Sequence, residues 1–174
     1  MDYTCSWNSP LGGITLASDG TALSGLWFNG QKHYADSLDP EHGERQLPVF
    51  DAGCRWLEIY FSGREPGFTP PLSLKGTPFR REVWGRLLGI PSGSTMTYGQ
   101  IADLLARRRG LSRMSARAVG AAVGRNPVSL IVPCHRVVGA GGRLTVYAAG
   151  LARKARLLEL ERAGLAASGR KAAP

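Results

Sequence analysis

The first quarter of the chain alternates apolar and polar residues with the period of a β-strand. The segment ITLASDGTALSGLWF, residues 14–28, predicts two strands joined by a turn at Asp19-Gly20. The segment TCSWNSPLGG, residues 4–13, predicts another strand and a turn before them. Residues 30–47 are polar and predict a loop. A small sheet is therefore expected at the N-terminus.

A helical period replaces the strand period near residue 50. In FDAGCRWLEIYFSG, residues 50–63, apolar side chains recur on one stripe of a helix that Gly63 ends. Cys54 falls on this stripe and is interpreted as a core residue. Residues 64–79 contain four prolines and predict a linker. The N-terminal half is thus interpreted as a sheet with one helix.

Helix signals prevail beyond the linker. An apolar stripe predicts a helix over residues 79–88, which ends before Pro91. Two short helices are predicted over Tyr98–Arg107 and Ser115–Val123, with a turn through Gly110. Short helices joined by a glycine-containing turn are typical of a helix-turn-helix, although any helical hairpin gives the same pattern.

Arginines and small residues set this helix pair apart. The second helix consists mostly of alanine and glycine, and an interior glycine costs up to about 1 kcal/mol relative to alanine. Close approach of another surface would justify that cost. The surface is either a duplex groove, of which the narrow minor groove favours a slim helix, or a packed neighbouring helix. The arginines, which suit phosphate binding, are Arg107, Arg108, Arg109, Arg113, Arg117 and Arg125.

The charge is divided unevenly along the chain. Residues 1–75 carry 5 basic and 9 acidic residues, a net of −4. Residues 76–174 carry 17 basic and 4 acidic residues, a net of +13. Such a division favours a polyanion-binding domain joined to a domain with another role, over a generally solubilising surface.

Cysteine usage narrows the class of protein further. Cys5, Cys54 and Cys134 are odd in number and far apart, which favours a reducing, cytoplasmic setting over a disulfide framework. Their spacing does not suit metal ligands, so we expect neither a metal site nor a cofactor. The N-terminus MDYTCSWNSP does not have a signal-peptide pattern, and no apolar run reaches the length of a membrane span.

One cysteine stands in the distinctive segment IVPCHRVVG, residues 131–139. The apolar run before Pro133 predicts a strand whose end presents Cys134. A buried structural thiol would act there as a small hydrophobe, whereas a reactive thiol would need a base. His135 is adjacent, and at a bend a water could join the two side chains.

A carboxylate near the C-terminus could complete such a site. A helix is predicted over residues 151–164, with Leu151, Ala155 and Leu158 on its inner stripe. Glu161 lies further along that stripe, where an unpaired carboxylate would be costly. If Glu161 orients His135, the set has the logic of an activated nucleophile.

The segments around Cys134 carry a family resemblance. NPVSLIVPCHRVVG, with SARAVGAAVGRN before it and LTVYAAGLARKARLLELE after it, resembles the O6-alkylguanine-DNA alkyltransferases, or methylated-DNA–protein-cysteine methyltransferases. The resemblance runs from about Thr77 to Arg162, and SPLGGITLA and LWF fit the family's leading domain. PCHRV in this context is a specific signature.

The resemblance implies an α+β protein of two domains. Residues 1–70 would form a small sheet-plus-helix domain of the ribonuclease H-like type. Residues 71–165 would form a mostly helical, winged helix-turn-helix-like domain that binds DNA and accepts the alkyl group. Residues 166–174 are expected to be a disordered tail.

The resemblance also implies a reaction. Cys134 would take the alkyl group from O6 of a flipped guanine, and by the same chemistry from O4 of thymine, in a single turnover. His135 would act as the base through water and Glu161 would orient it. Asn126 would support the active-site loop, and Tyr98 would crowd the flipped nucleotide's phosphate and donate a proton to the leaving guanine.

Further residues gain roles from the same resemblance. The protein would act as a monomer on double-stranded DNA through the minor groove, with Arg117 entering the stack in place of the flipped base. Tyr147, Val137, Ala148 and Val132 would line the substrate pocket. Ser115, Ala118 and Arg125, with Tyr98 and Arg117, would contact DNA.

Two residues depart from the family pattern. The family has GYAGG where this chain has VYAAG, residues 146–150. Val146 thus replaces the first glycine and Ala149 the second. A valine at a position of positive φ would be strained, and Ala149 would add a methyl near the rim of the alkyl pocket. These departures concern the size of the accepted alkyl group.

Two rival functions share some of these features. A non-enzymatic protein that binds alkylated DNA or regulates transcription would use the same basic helices, but it would not need Cys134. A thiol hydrolase would use the cysteine, but no oxyanion-hole loop is recognisable and the basic half would stay unexplained.

Overall fold

The computed structural model describes residues 1–169, and over these residues the chain divides into two compact units. The first unit contains Met1–Lys75 together with Pro127–Ile131, and the second contains Gly76–Asn126 and the residues from Val132 onward. The division therefore falls after Lys75, whereas the sequence predicted it after residue 70. The return of 127–131 to the first unit was not predicted, because backbone pairing leaves no trace in a side-chain pattern.

The N-terminal unit is built on a sheet with the strand order β3-β2-β1-β4. The first three strands pair antiparallel, and β4 runs parallel to β1. The predicted strands are confirmed, but β4 lies inside the predicted loop, since three residues are too few to show a period. The strands are β1 Asp2–Ser9, β2 Gly12–Ser18, β3 Leu23–Phe28 and β4 His42–Glu44.

The segment 127–131 joins this sheet through its backbone. The N–H of Leu26 donates to the carbonyl of Pro127 at 2.9 Å, and the N–H of Ser129 donates to the carbonyl of Leu26 at 3.0 Å. Leu130 then adopts a positive φ of 71°. The apolar run is thus buried as a turn that leaves the sheet.

Helix α1, Pro48–Phe61, packs on the N-terminal sheet. Its approach is close at Gly53, where an added Cβ would lie 2.7 Å from Cδ2 of Leu16. Phe50 and Leu57 are buried as predicted, but Cys54 is only half-buried. The core interpretation of Cys54 is therefore wrong, because its position at the edge of the stripe leaves part of it accessible.

The C-terminal unit is mostly helical, as predicted. Trp84 of α2 donates its indole N–H to the carbonyl of Ala122 in α4 at 2.8 Å, which ties these two helices together. Ser115 caps α4 by accepting from the N–H of Ala118, and Thr97 caps α3. The elements are α2 Pro78–Leu87, β5 Met96–Thr97, α3 Tyr98–Arg108, α4 Ala116–Gly124, β6 Val137–Val138 and α5 Leu151–Ala167.

The buried stripe of α5 differs from the predicted one. Leu151 and Ala155 are exposed, and the buried residues are Lys154, Leu157, Leu158 and Glu161. Apolar periodicity misassigned this face because two of its four buried residues are charged. The helix continues to Ala167, so the beginning of the predicted tail is helical, and residues 170–174 lie outside the described residues.

Within residues 1–169, none of the helices combines the length and hydropathy that a membrane span requires.

Candidate active site

Cys134 opens a short 3-10 helix, Cys134–Arg136, directly after a tight turn. Pro133 has φ −82° and ψ 67°, and the N–H of Cys134 donates to the carbonyl of Val132 at 2.8 Å, which is an inverse γ-turn. The predicted strand end is therefore wrong. A short apolar run indicates burial but does not distinguish a strand from a buried turn.

Asn126 holds this turn from the end of α4. Its Nδ2 donates to the carbonyl of Val132 at 2.7 Å, so this carbonyl accepts both from Asn126 and from the N–H of Cys134. The amide and the carbonyl are both buried. Asn126 thereby fixes the backbone that presents Cys134, which is 6% exposed.

His135, Arg136 and Glu161 form a buried polar cluster beside Cys134. Nε2 of His135 lies 2.6 Å from Oε1 of Glu161. Arg136 donates from Nε to Oε2 at 3.0 Å and from Nη2 to Oε1 at 2.9 Å, a bidentate pair. The N–H of Gly93 donates to Oε2 at 3.3 Å, and Nη1 of Arg136 donates to the carbonyl of Ile90 at 2.6 Å. The carboxylate thus has the partners that its burial requires.

The protonation states follow from burial and charge. Burial lowers the pKa of His135, against the opposing effect of Glu161, so the imidazole is neutral at neutral pH. Burial by itself raises the pKa of Glu161, but the hydrogen bonds from His135 and Arg136 and the positive charge of Arg136 outweigh it and bring the pKa to about 2. A neutral His135 that donates from Nε2 to Glu161 keeps a lone pair on Nδ1. The cluster is therefore suited to accept a proton at Nδ1.

Lys154 is a cation that sequence reasoning missed. It lies on the buried stripe of α5, is 0% exposed, and makes a long contact of 3.5 Å from Nζ to the carbonyl of Val146. Burial lowers its pKa, and electrostatic interaction with Cys134 opposes that shift. A signal for it exists in the sequence, because Lys154 precedes Glu161 by seven residues and so shares its helical face. A cation at this place would stabilise a thiolate on Cys134.

Tyr147 lies in the loop that leads into α5. Its hydroxyl is buried and, among the described residues, has no hydrogen-bond partner. Burial raises the pKa of Tyr147 well above its usual value, and the charge of Cys134 acts in the same direction. A buried hydroxyl without a partner indicates a place for a ligand's polar atom.

The two departures from the family pattern lie in the same loop but differ in placement. Val146 is 77% exposed, whereas Ala149 is 7% exposed. Outside glycine, the positive φ angles of residues 1–169 belong to His33, Ala35 and Leu130, so Val146 is not in the left-handed region. The strain considered for Val146 is therefore absent.

Tyr98 connects the helix pair to the loop of Tyr147. It stands at the start of α3, and its ring lies over Gly120 of α4, where an added Cβ would be 3.6 Å away. Its hydroxyl accepts from Oγ1 of Thr145 at 3.3 Å. The preceding β5 pairs with β6, Met96 with Val137 and Thr97 with Val138. Tyr98 is thus fixed relative to the segment that follows His135.

The remaining predicted residues separate into buried and accessible sets. Val132 and Val137 are fully buried, and Ala148 is half-buried beside Tyr147. The outer face of α4 is accessible and small-sided, as its composition indicated. Its exposed residues include Ser115, Arg117, Ala118 and Arg125.

Two family models match nearly the whole chain. The 6-O-methylguanine DNA methyltransferase, DNA binding domain, matches residues 78–163. The ribonuclease-like domain of the same methyltransferases matches residues 3–74. The chain belongs to the 6-O-methylguanine DNA methyltransferase family.

Individual relatives agree with this assignment. The methylated-DNA–protein-cysteine methyltransferase of Mycobacterium tuberculosis is 42% identical over 155 residues, which is 89% of both chains. That of Mycobacterium leprae is 42% identical over 164 residues, 93% of both chains. The structure of Mycobacterium tuberculosis OGT in complex with DNA matches with a TM-score of 0.80 and 40% identity, over 93% of this chain and 94% of that one.

The family assignment confirms several predictions made from the sequence. The two-domain α+β fold, DNA as a partner, and the reaction class of DNA repair by alkyl transfer to a protein cysteine are confirmed. The roles of individual residues of this alkyltransferase remain predictions, to which the geometry above adds Arg136 and Lys154.

Proposed function

We propose that this protein repairs DNA by moving a methyl or larger alkyl group from O6 of guanine to Sγ of Cys134. The observation that carries the proposal is the turn that presents Cys134 next to a neutral His135, itself held by Glu161. An alkyl ether carbon is a poor electrophile, so the attacking group must be a thiolate. A free thiol with a pKa near 8.5 supplies only a few per cent of thiolate at neutral pH, which makes an activating environment necessary.

The proton leaves Cys134 through water and reaches Nδ1 of His135. The imidazolium that forms is stabilised by the Glu161 carboxylate on the other side of the ring, as in other nucleophile–base–orienter sets. Arg136 keeps Glu161 ionised and in place. Lys154 adds a positive charge that favours the thiolate before the alkyl group arrives.

The transfer itself is an in-line displacement. Sγ of Cys134 forms a bond to the alkyl carbon while the bond from that carbon to O6 breaks, and the electron pair passes to the guanine. Tyr98 donates a proton to the guanine as it leaves. The thioether on Cys134 is stable, so each protein molecule acts once.

The guanine must leave the duplex before it reaches the buried thiol, at a cost of a few kcal/mol. The slim, exposed face of α4 suits the minor groove, and Arg117 replaces the flipped base in the stack. The buried hydroxyl of Tyr147, for which residues 1–169 offer no partner, meets a polar edge of the flipped base. The pocket side chains Val132, Val137 and Ala148 supply apolar contact.

Three finer features complete the proposal. Alkylated O4 of thymine offers the same type of carbon and is a second substrate class. One thiol and one α4 face suffice for the reaction, so the protein acts as a monomer. A cytoplasmic location stays a prediction from the free cysteines.

Mass spectrometry of single-turnover reactions tests the proposal. The protein is incubated with duplex DNA that carries O6-methylguanine and is then digested with trypsin. A mass gain of one methylene unit on the peptide 126–136, which contains Cys134, is expected. Binding to the DNA without any mass gain would instead favour the non-enzymatic lesion-binding function.

A further inference from the structure

The N-terminal unit contains a pair of thiols that the repair reaction does not use. The pKa of each thiol, Cys5 of β1 and Cys54 of α1, is shifted chiefly by a hydrogen bond to the other, which places the two sulfurs side by side. Both are free thiols, and both are half-buried, so small solutes reach them. They are 49 positions apart in the sequence, and the fold alone brings them together.

A neighbouring contact shows that the pairing belongs to the strand–helix packing. The rings of Trp7 and Phe61 stack with centroids 5.8 Å apart. Trp7 follows Cys5 by two residues, so both lie on one face of β1. Phe61 follows Cys54 by seven residues, so both lie on one face of α1. The same two faces therefore meet at two points.

The backbones are held close at this interface. Leu16 is the cross-strand partner of Cys5, and Gly53 precedes Cys54. An added Cβ at Gly53 would come within 2.7 Å of Leu16, so α1 packs against the sheet without room for a side chain at this position. A bond between the two sulfurs thus joins elements that are already in contact, which is a requirement for an unstrained disulfide.

We propose that Cys5 and Cys54 are a redox-sensitive site, at which a peroxide converts the two thiols into an intramolecular disulfide between β1 and α1. In the first step the Cys54 thiolate attacks one peroxide oxygen, the O–O bond breaks, and Cys54 sulfenic acid and water form. In the second step the sulfur of Cys5 displaces that hydroxyl as a second water. One hydrogen peroxide thus oxidises two thiols and yields two waters.

The expected order of these steps rests on the environment of the two sulfurs. The hydrogen bond from Cys5 lowers the pKa of Cys54, against the opposing effects of burial and of the Asp51 and Glu58 carboxylates. The same hydrogen bond, then burial and the charges of Cys54 and Asp51, raise the pKa of Cys5. We therefore expect Cys54 to react with peroxide and Cys5 to be the resolving thiol, an order that single variants test.

The disulfide would protect the fold without consuming the alkyl acceptor. Neither cysteine belongs to the cluster of Cys134, and a cross-link that closes a loop of this length restricts the unfolded chain. We expect the oxidised protein to melt several degrees above the reduced protein and to retain alkyl transfer.

Peptide mapping of the full chain tests the site. Protein carrying Cys134→Ser, which removes the third thiol, is treated with equimolar hydrogen peroxide, capped with iodoacetamide and digested with trypsin without reductant. The expected product is peptide 1–32 linked to peptide 46–55, two hydrogens lighter than their sum. Recovery of both peptides capped, or oxidised but unlinked, or linked only between molecules, would overturn the proposal.

Single variants test the assigned order. In Cys5→Ser the sulfenic acid on Cys54 persists and is trapped by the 1,3-diketone dimedone. In Cys54→Ser the same dose leaves Cys5 unlabelled, and equal labelling of both variants would overturn the order. With Cys134 intact, both variants should transfer alkyl groups at the wild-type rate, so a failure here is distinguishable from a failure of the repair reaction.

Discussion

Glu161 accepts from Nε2 of His135 at 2.6 Å and from Arg136 through two further nitrogens, and all three side chains are buried. The pairing explains why a carboxylate occupies the inner stripe of α5. The two partners of Glu161 have different roles: Arg136 neutralises the charge of the carboxylate, and the carboxylate orients the imidazole of His135. Removal of either partner should therefore have different consequences.

Arg136→Met should destabilise the fold. It leaves the Glu161 carboxylate buried with its main neutralising charge gone, and breaking a buried pair in this way costs about 3–5 kcal/mol. Urea denaturation measures the loss. The matched control is Arg109→Met, which breaks an exposed pair with Glu82 and should cost far less. Equal losses of unfolding free energy in both variants would show that the buried ion pair contributes no more to stability than the exposed pair.

Glu161→Gln should act on rate more than on binding. The amide keeps the shape and can still accept from Nε2 of His135, but it cannot stabilise the imidazolium that forms on proton transfer. The single-turnover rate on O6-methylguanine DNA should fall by one to several orders of magnitude, on the scale of about 10²–10⁴ for general acid–base catalysis. DNA affinity, measured by fluorescence anisotropy, should stay within a few-fold. If Glu161→Gln transferred the alkyl group at the wild-type rate, Glu161 would have no role in the mechanism.

Burial of His135 predicts a dependence of stability on pH. The unfolded imidazole takes up a proton near its ordinary pKa of 6.5, while burial lowers the pKa in the folded state. Just below pH 6.5 the unfolded chain therefore binds more protons, and the free energy of unfolding falls as pH decreases, by at most about 1.4 kcal/mol per unit for one proton.

His135→Asn should flatten this slope. Urea denaturation of both proteins between pH 7.5 and pH 5.5 measures it, and the values at pH 7.5 serve as the reference. Glu161 contributes in a lower window, since its pKa of about 2 makes its stabilisation fade only as pH falls below the unfolded value near 4.5. An unchanged slope in the variant would contradict a neutral, buried His135.

Cys134→Ser should abolish alkyl transfer and leave DNA affinity within a few-fold, because the thiol supplies chemistry and little phosphate contact. Rapid-quench assays and anisotropy measure the two quantities. The controls are Cys5→Ser and Cys54→Ser, which retain the acceptor. Transfer by Cys134→Ser at the wild-type rate would place the acceptor elsewhere.

Arg117→Ala should slow repair of duplex DNA much more than reaction with the free alkylguanine base, since only the duplex requires flipping. Arg117 is exposed on α4. Arg107→Ala and Arg108→Ala should instead lower affinity and reduce the salt slope by about one each. Arg109 should matter less, because it already pairs with Glu82. Equal losses on duplex and free base would contradict the role of Arg117.

The sequence was informative wherever local pattern decides structure. The helix pair was predicted within two residues of its bounds, because caps and apolar stripes are local signals. The segment before Cys134 was predicted as a strand and is a turn, because its conformation depends on the hydrogen bond from Asn126 and on the positive φ of Leu130. Such non-local constraints leave no period in the sequence.

The residues of the candidate site likewise differ in whether a local sequence signal reveals them. A signature motif identified Cys134 and His135, and the cost of a buried carboxylate pointed to Glu161. The sequence analysis did not assign Lys154 and Arg136 to the site, because a basic residue in a strongly basic domain is expected to lie on the surface. The position of Lys154 seven residues before Glu161 could have indicated its burial, whereas the burial of Arg136 depends on its contacts with Glu161 and Ile90, which leave no pattern in the sequence.

The loop residues Val146 and Ala149 predict the range of alkyl groups. Ala149 is buried and lies two residues after Tyr147 in the same loop, so its methyl occupies space that a glycine would leave open. A methyl group on O6 needs little of that space. A benzyl group would overlap with it, and overpacking typically costs 1–3 kcal/mol, roughly a 5- to 150-fold loss of rate. We therefore expect efficient methyl transfer and slow reaction with O6-benzylguanine.

Ala149→Gly should recover the benzyl substrate selectively, and Val146→Gly is the matched control. Val146 is largely exposed and unstrained, so its removal should leave both substrates unchanged. Single-turnover rates of the wild type and both variants on O6-methylguanine DNA and O6-benzylguanine measure the effect. A benzyl rate in the wild type equal to that of Ala149→Gly would contradict the steric role of Ala149 and leave the role of Cys134 untouched. A faster reaction with O6-benzylguanine in Val146→Gly alone would show that Val146, and not Ala149, limits the size of the alkyl group.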